Sequence, residues 1–234
     1  MLELRNVSAF YGDSLALNGV SLRVQPRQGV AILGRNGAGK STLFKSIVGG
    51  GPSVRGDVLL DGRPLARQAT HERIRAGIAF VPEDRRIFPH LTVEENLEIA
   101  RHGARPGQAC QEVQQSYQLF PLLADLKARM GTQLSGGQQQ ILAVARGMVA
   151  RPQYLLLDEP TEGVAPLIVQ QMAEQIVHAC AQEGIALVVA EQNVWFARQC
   201  SEYVYVMDTG QVVFEGTWAD YDAHPQVAEK YLAI

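Results

Sequence analysis

The chain has no long hydrophobic run. Its longest strictly apolar stretch, residues 185–190, spans six residues, against the roughly twenty that a membrane-spanning helix needs. Glu3, Arg5 and Asn6 interrupt the first residues, so nothing there resembles a secretory signal peptide, and the protein is expected to be made and kept in the cytosol. Cysteine is scarce. Cys110, Cys180 and Cys200 are odd in number, widely separated and never in C-x-x-C spacing, which argues against a disulfide framework or a thiolate metal site. The histidines (His71, His90, His102, His178, His224) are scattered, and no two sit at a ligand spacing. Basic excess is missing too: 21 Lys and Arg face 24 Asp and Glu, a formal net charge of -3, so no overall positive field points to nucleic acid or acidic lipid. There is no internal repeat and no low-complexity linker.

Against these absences stands one dense signal. Gly34-Arg35-Asn36-Gly37-Ala38-Gly39-Lys40-Ser41-Thr42 is a full match to the phosphate-loop pattern G-x-x-x-x-G-K-[ST]. The apolar residues 29–33 before it read as a short buried strand, and Leu43, Phe44, Ile47 and Val48 after it fall at helical spacing. A strand running through a glycine turn into a helix aims several backbone N–H groups and a helix N-terminus at one point, which suits a polyphosphate. Gly34, Gly37 and Gly39 are expected to supply turn conformations that a Cβ would obstruct. Lys40 adds a mobile positive charge for the β and γ oxygens, and Ser41 can place its hydroxyl on Mg²⁺.

The rest of the chain reads as alternating elements. Residues 2–10 and 20–24 alternate as strands, with 13–19 as the connection between them, and 56–61 suggest a further strand of an antiparallel sheet beside the nucleotide core. Gly49-Gly50-Gly51-Pro52 stops the helix of the loop. Residues 78–81 form a buried strand ahead of Glu83. From residue 84 the character turns helical. Thr92-Val93-Glu94-Glu95 is a capping box opening a helix to about residue 100, residues 108–120 are a second candidate, and residues 136–150 carry Ile141, Leu142, Val144, Ala145, Met148 and Val149 on one face. Strands return at 154–158, 186–190, 203–208 and 211–215, with an amphipathic helix over 166–182. This order predicts an α/β fold built on a parallel sheet. It reads as one domain, with a nucleotide core over 1–83 and 151–234 and a helical subdomain over 84–150.

Two further stretches carry chemistry. Tyr154-Leu155-Leu156-Leu157-Asp158-Glu159 is an apolar strand delivering two carboxylates at its C-terminal end, where ligands gather in open α/β sheets. Asp158 is placed to hold Mg²⁺, and Glu159 to polarise the water that attacks a γ-phosphate. In Leu134-Ser135-Gly136-Gly137-Gln138, Ser135 stands where an N-cap would, and two glycines leave backbone N–H groups uncovered at the start of a long helix. On spacing alone this is either a second anion site or simply a well-capped helix.

Taken in order, these three motifs resemble the Walker A, signature and Walker B motifs of the ATP-binding subunit of an ABC transporter, and the match covers essentially the whole chain. The resemblance implies a P-loop NTPase with a RecA-like parallel sheet, a flanking antiparallel β subdomain and an inserted helical subdomain, with ATP and Mg²⁺ as ligands. It also implies a head-to-tail dimer, in which Ser135 and Gly137, with Gly136 and Gln138 beside them, contact the γ-phosphate of ATP held by the partner's loop. Tyr11 resembles the aromatic that stacks on adenine, and residues 161–166 occupy the D-loop position. Two positions depart from the commoner pattern: Glu83 stands where most members have Gln, and Gln192 where they have His. A carboxylate at 83 adds negative charge beside Asp158 and Glu159, and Gln192 can donate a hydrogen bond to a γ-phosphate but cannot carry a proton.

Glu83 and Gln192, with the flanking runs 81–97 and 190–194, are similar to the shorter ATPase of high-affinity branched-chain amino acid importers. That subunit works beside a different ATPase chain, membrane permease subunits and, indirectly, a periplasmic solute-binding protein, on the inner face of the membrane. Arg85, Arg86, Ile87 and Phe88 would then lie near the groove receiving a membrane subunit. A urea importer subunit ranks second. A weakly hydrolysing regulatory subunit and a non-transport ABC protein acting on nucleic acid are the remaining alternatives, though the coiled-coil insertion or tandem ATPase domains common in the latter are lacking.

Overall fold

The computed structural model describes residues 1–103 and 112–232; Cys110 and the start of the helix expected over 108–120 lie outside the described residues. The chain opens with β1 (Leu2–Tyr11) and β2 (Ser14–Val24), an antiparallel hairpin in which Tyr11 pairs with Ser14. Of the expected connection over 13–19, residues 14–19 are therefore strand. Three register shifts between Leu4 and Phe10 break the two-residue alternation there, so this part of the hairpin carries no regular strand pattern.

There follow β3 (Gly29–Leu33), α1 (Lys40–Val48), β4 (Ser53–Leu60), β5 (Arg63–Pro64), α2 (Thr70–Arg75) and β6 (Ile78–Val81). Gly49 ends α1 in the left-handed region, as its sequence predicts. A helical stretch comes next: α3 (Val93–Ala100), capped by Thr92, then α4 (Val113–Leu119), α5 (Pro121–Asp125) and α6 (Gly136–Val149). The chain closes with β7 (Tyr154–Asp158), α7 (Pro166–Glu183), β8 (Ala186–Glu191), α8 (Val194–Cys200), β9 (Tyr203–Asp208), β10 (Gln211–Thr217), α9 (Trp218–Asp222) and α10 (Pro225–Tyr231). Five helices had no sequence signal: α2, α5, α8, α9 and α10 span five to seven residues, too few turns for a periodicity to show.

Two sheets result. The first runs β2-β1-β4-β5 and is antiparallel; the second runs β10-β9-β3-β8-β7-β6, parallel from β9 to β6 with β10 antiparallel at its edge. Strands β3, β7 and β8 of the second sheet are buried on both faces, as continuous apolar runs require, whereas the edge strand β10 is mostly exposed or half-buried. Ala31, Leu33, Leu155, Leu157, Leu187 and Val189 face one core with α6, α7 and α8. Val30, Ile32, Leu156, Val188 and Ala190 face the other, filled by Phe44 and Ile47 of α1 and by Leu2, Leu4 and Val58 of the antiparallel sheet. Cys180 and Cys200 are buried free thiols. Among the described residues, no helix is long and apolar enough to cross a membrane.

Candidate nucleotide site

The strand order decides the site. Because β3, β8, β7 and β6 are neighbours in parallel, the segments leaving their C-terminal ends stand in a row: the phosphate loop, Gln192, Asp158 with Glu159, and Glu83.

In the phosphate loop, Gly37 and Gly39 take left-handed backbones (φ 84° and 105°). Gly34 does not. A Cβ there would meet Met207 O at 2.7 Å and Ala38 Cβ at 2.9 Å, so Gly34 serves close packing rather than the turn conformation its sequence position suggested. The carbonyl of Ala38 accepts the N–H of Gly210 at 2.9 Å, which pins the loop to the β9–β10 turn.

Inside this cradle lie paired charges. Lys40, 4% exposed, donates to the carbonyls of Gly34 (2.6 Å) and Arg35 (3.1 Å) and ion-pairs with Glu159 Oε1 at 2.8 Å. Glu159 is held in a left-handed backbone (φ 46°), its N–H donating to Ala190 O. Such strain in a residue with a side chain persists only where its surroundings enforce it. Ser41 Oγ donates to Asp158 Oδ1 at 3.1 Å. Burial pushes the Asp158 carboxyl up to about 6, opposed by the Ser41 hydroxyl and Lys40 and reinforced by the charges of Glu159 and Glu83. That excess of negative charge beside a serine hydroxyl suits a hard, oxygen-loving divalent cation such as Mg²⁺. Among the described residues no group of three or more His, Cys, Asp or Glu could hold a metal. Gln192 Nε2 donates to Asn36 Oδ1 at 2.7 Å, joining β8 to the loop.

The other predicted residues stand apart. Tyr11, 44% exposed, ends β1 with its ring beside Gly51, outside this hydrogen-bonded cluster. Ser135 does cap α6, accepting the N–H of Gln138 (3.4 Å) while Gln138 Oε1 accepts the N–H of Ser135 (2.9 Å). A Cβ on Gly137 would strike Ile168 at 2.6 Å, and one on Gly136 would sit 3.3 Å from Gly163 O. The signature thus packs on the D-loop and α7, and among the described residues none of its hydrogen bonds reaches the phosphate loop.

The family model described as ABC transporter matches residues 17–162, more than half the chain. The chain belongs to the ABC transporter family. This ABC ATPase is 36% identical over 232 residues to the high-affinity branched-chain amino acid transport ATP-binding protein BraG of Pseudomonas aeruginosa, spanning 99% of each chain. It is 34% identical over 218 residues to the probable branched-chain amino acid transport ATP-binding protein LivF of Archaeoglobus fulgidus, spanning 93% of this chain and 92% of that one. A solved dimeric ATP-binding cassette in a post-hydrolysis state, bound to ADP and Pi, is similar with a TM-score of 0.80 at 26% identity, over 93% of this chain and 98% of that one.

One residue of the ABC ATPase escaped the sequence reading. Glu191, 1% exposed at the end of β8, accepts the N–H groups of Thr161 (3.0 Å), Gln192 (3.1 Å) and Asn193 (3.1 Å). Burial pushes its carboxyl up to about 7 against these hydrogen bonds. The signal was available: like Asp158, it is a carboxylate closing an all-apolar strand. The run expected near a membrane subunit is divided as well. Phe88 is 41% exposed with Arg146 stacked 4.7 Å over its ring, whereas Arg85 turns inward.

Proposed function

We propose that this ABC ATPase energises uptake of branched-chain amino acids as the shorter ATPase of an importer, peripheral on the inner face of the cell membrane. It pairs head to tail with a second ATPase chain and contacts membrane permease subunits. The convergence of Lys40, Ser41, Asp158, Glu159 and Gln192 on one loop carries the hydrolytic part of this reading. The cargo part is supported by the two transport relatives and by Glu83 and Gln192.

Lys40 holds Glu159 and two loop carbonyls. An incoming γ-phosphate competes for Lys40, which frees the Glu159 carboxylate to orient and polarise a water in line with the bond to be broken. Residues 34–42 cradle the phosphates and Tyr11 stacks on the base. Ser41, Asp158 and Glu83 are the residues that would hold Mg²⁺, which when bound neutralises charge on the phosphate oxygens. Gln192, released from Asn36, donates to the γ-phosphate. The signature serine and glycine of the other chain, counterparts of Ser135 and Gly137 here, complete the site, so ATP closes the pair and hydrolysis reopens it. Residues 84–150 form the helical subdomain that carries the signature.

Purifying the complex with its membrane and solute-binding partners and measuring uptake of labelled leucine, isoleucine and valine tests the cargo. Uptake of all three is expected; uptake of urea or an unrelated solute instead would sink the assignment. Gln192 and Glu83 also favour a second reading, a weakly hydrolysing subunit that relies on its partner for turnover. Equal inactivity of the isolated wild type and Glu159→Gln, with turnover in the complete complex, selects it.

A further inference from the structure

Arg85 lies outside the three nucleotide motifs. Its backbone is left-handed (φ 59°), as is that of Arg86 (φ 48°), a conformation bulky side chains rarely adopt. The kink comes two residues after Glu83 and sends the side chain inward. There the guanidinium forks three ways: Nε donates to Gln140 Oε1 at 3.2 Å, Nη1 to Gln139 Oε1 at 3.2 Å, and Nη2 to the carbonyl of Glu162 at 3.0 Å. The first two partners lie on α6 just past the signature, and the third is in the D-loop. The fork also lies against two glycines. A Cβ on Gly136 would sit 3.4 Å from Nη1, and one on Gly163 3.6 Å from Nη2. All three acceptors are neutral, so the arrangement is not an ion pair that happens to fall at the surface. An arginine serving solubility would need no left-handed backbone and would point to water. A rigid planar fork instead fixes the relative positions of three segments, which a flexible lysine ammonium cannot do.

We propose that Arg85 is a positioning residue for ATP turnover, joining the Glu83 loop, the signature helix and the D-loop into one unit that links the chain's own nucleotide site to the signature it presents to its partner. The proposal rests on the composite-site reading above. Glu83 lies close enough to the chain's own Asp158 to act on its charge, whereas Ser135 and Gly137 serve the opposite nucleotide. Arg85 stands between them. The start of the D-loop is held by Glu191, which accepts the N–H of Thr161 and of Gln192. Direct hydrogen bonds and peptide links therefore run from Asn36 through Gln192, Glu191, Thr161 and Glu162 to Arg85 and α6.

The test compares Arg85→Ala, Arg85→Lys, the Gln139→Ala/Gln140→Ala double variant and the triple variant. Affinity of the isolated chain for a fluorescent ATP analogue is expected to stay within about twofold of wild type, because no arm of the fork touches the phosphate loop. Turnover of the complete complex is expected to fall about tenfold or more in Arg85→Ala, with its Hill coefficient for ATP moving towards one. Arg85→Lys is expected to lie between the two. The triple variant should be no worse than Arg85→Ala, since all three side chains act through one fork. Unchanged turnover and Hill coefficient, losses that add, or a parallel loss of analogue binding would each overturn the proposal. If Arg85→Ala fails to fold, Arg85→Lys carries the same comparison. The composite-site reading is checked separately by ATP-induced association of the Glu159→Gln chain, alone and with its ATPase partner. No association sinks that reading; association together with wild-type kinetics in Arg85→Ala sinks only the fork.

Discussion

The phosphate-loop edge of the sheet and the N-terminus of α6 are two glycine-bearing helix starts built in opposite ways. At the sheet edge the charges are buried and answered within the chain: Lys40 meets Glu159, Ser41 meets Asp158, and Glu191 takes three backbone N–H groups. At α6 the groups are neutral, Ser135 is exposed, and the nearest neighbours are the D-loop and Arg85 rather than a phosphate cradle. The first set of groups is paired internally, whereas Ser135 of the second faces outward. Ser135 and Gln138 satisfy the cap, and the paired glycines admit the D-loop and α7, since a Cβ on Gly137 would strike Ile168 at 2.6 Å; on the reading proposed above, the exposed Ser135 end meets a phosphate brought by another chain.

The largest expected effect tests the buried half. Glu159→Gln should reduce phosphate release by the complete complex on the order of 100-fold or more while leaving ATP binding in place; retained turnover would remove Glu159 from its role. Lys40→Ala should cost about 3 kcal/mol in urea denaturation, because it strands a buried carboxylate without its counter-charge, and should abolish ATP binding. A stability close to wild type would mean that the pair is effectively solvated.

Titration sharpens the contrast. The carboxyl of Glu191 lies at about 7 in the folded chain against an ordinary 4.5. Folding therefore favours its protonated form. The cost is absent below about pH 4.5, grows as pH rises, and is complete once pH exceeds about 7. Asp158 acts with the same sign between its ordinary 3.8 and about 6. The stability of wild type relative to Glu191→Gln should therefore fall by about 3 kcal/mol between pH 4.5 and pH 8. A difference that stays flat across this range would show that the carboxylate is not burdened by burial.

At the α6 end the effects on folding should be small. Ser135→Ala removes a long cap hydrogen bond and should cost about 1 kcal/mol or less, with nucleotide binding by the isolated chain unchanged and turnover of the complex lost. A large drop in stability with turnover intact would reverse the assignment of this motif to a ligand.

The same contrast explains what the sequence made legible. The phosphate loop, the Asp158-Glu159 strand end and the Ser135 cap could be read because each depends on residue types at fixed short spacings. The parallel sheet followed from long alternating elements. What stayed hidden depends on contacts between distant segments. Arg85 looks like any loop cation until its backbone turns it onto α6, and Glu191 gains meaning only when β8 sets it beside Thr161. The reason for Gly34 lies in Met207, 173 residues away by number (207 − 34). The β1–β2 hairpin was obscured by bulges, and the five short helices by having too few residues to repeat.

The central claim is that the phosphate loop is half a site whose other half arrives on another chain. Light scattering of the Glu159→Gln chain, alone and mixed with its ATPase partner, with saturating ATP or ADP, tests it most directly. A doubling of mass with ATP and not with ADP, lost when Ser135 is replaced by a bulky arginine, is the predicted result. ATP bound at full occupancy by chains that remain single in every mixture would contradict it.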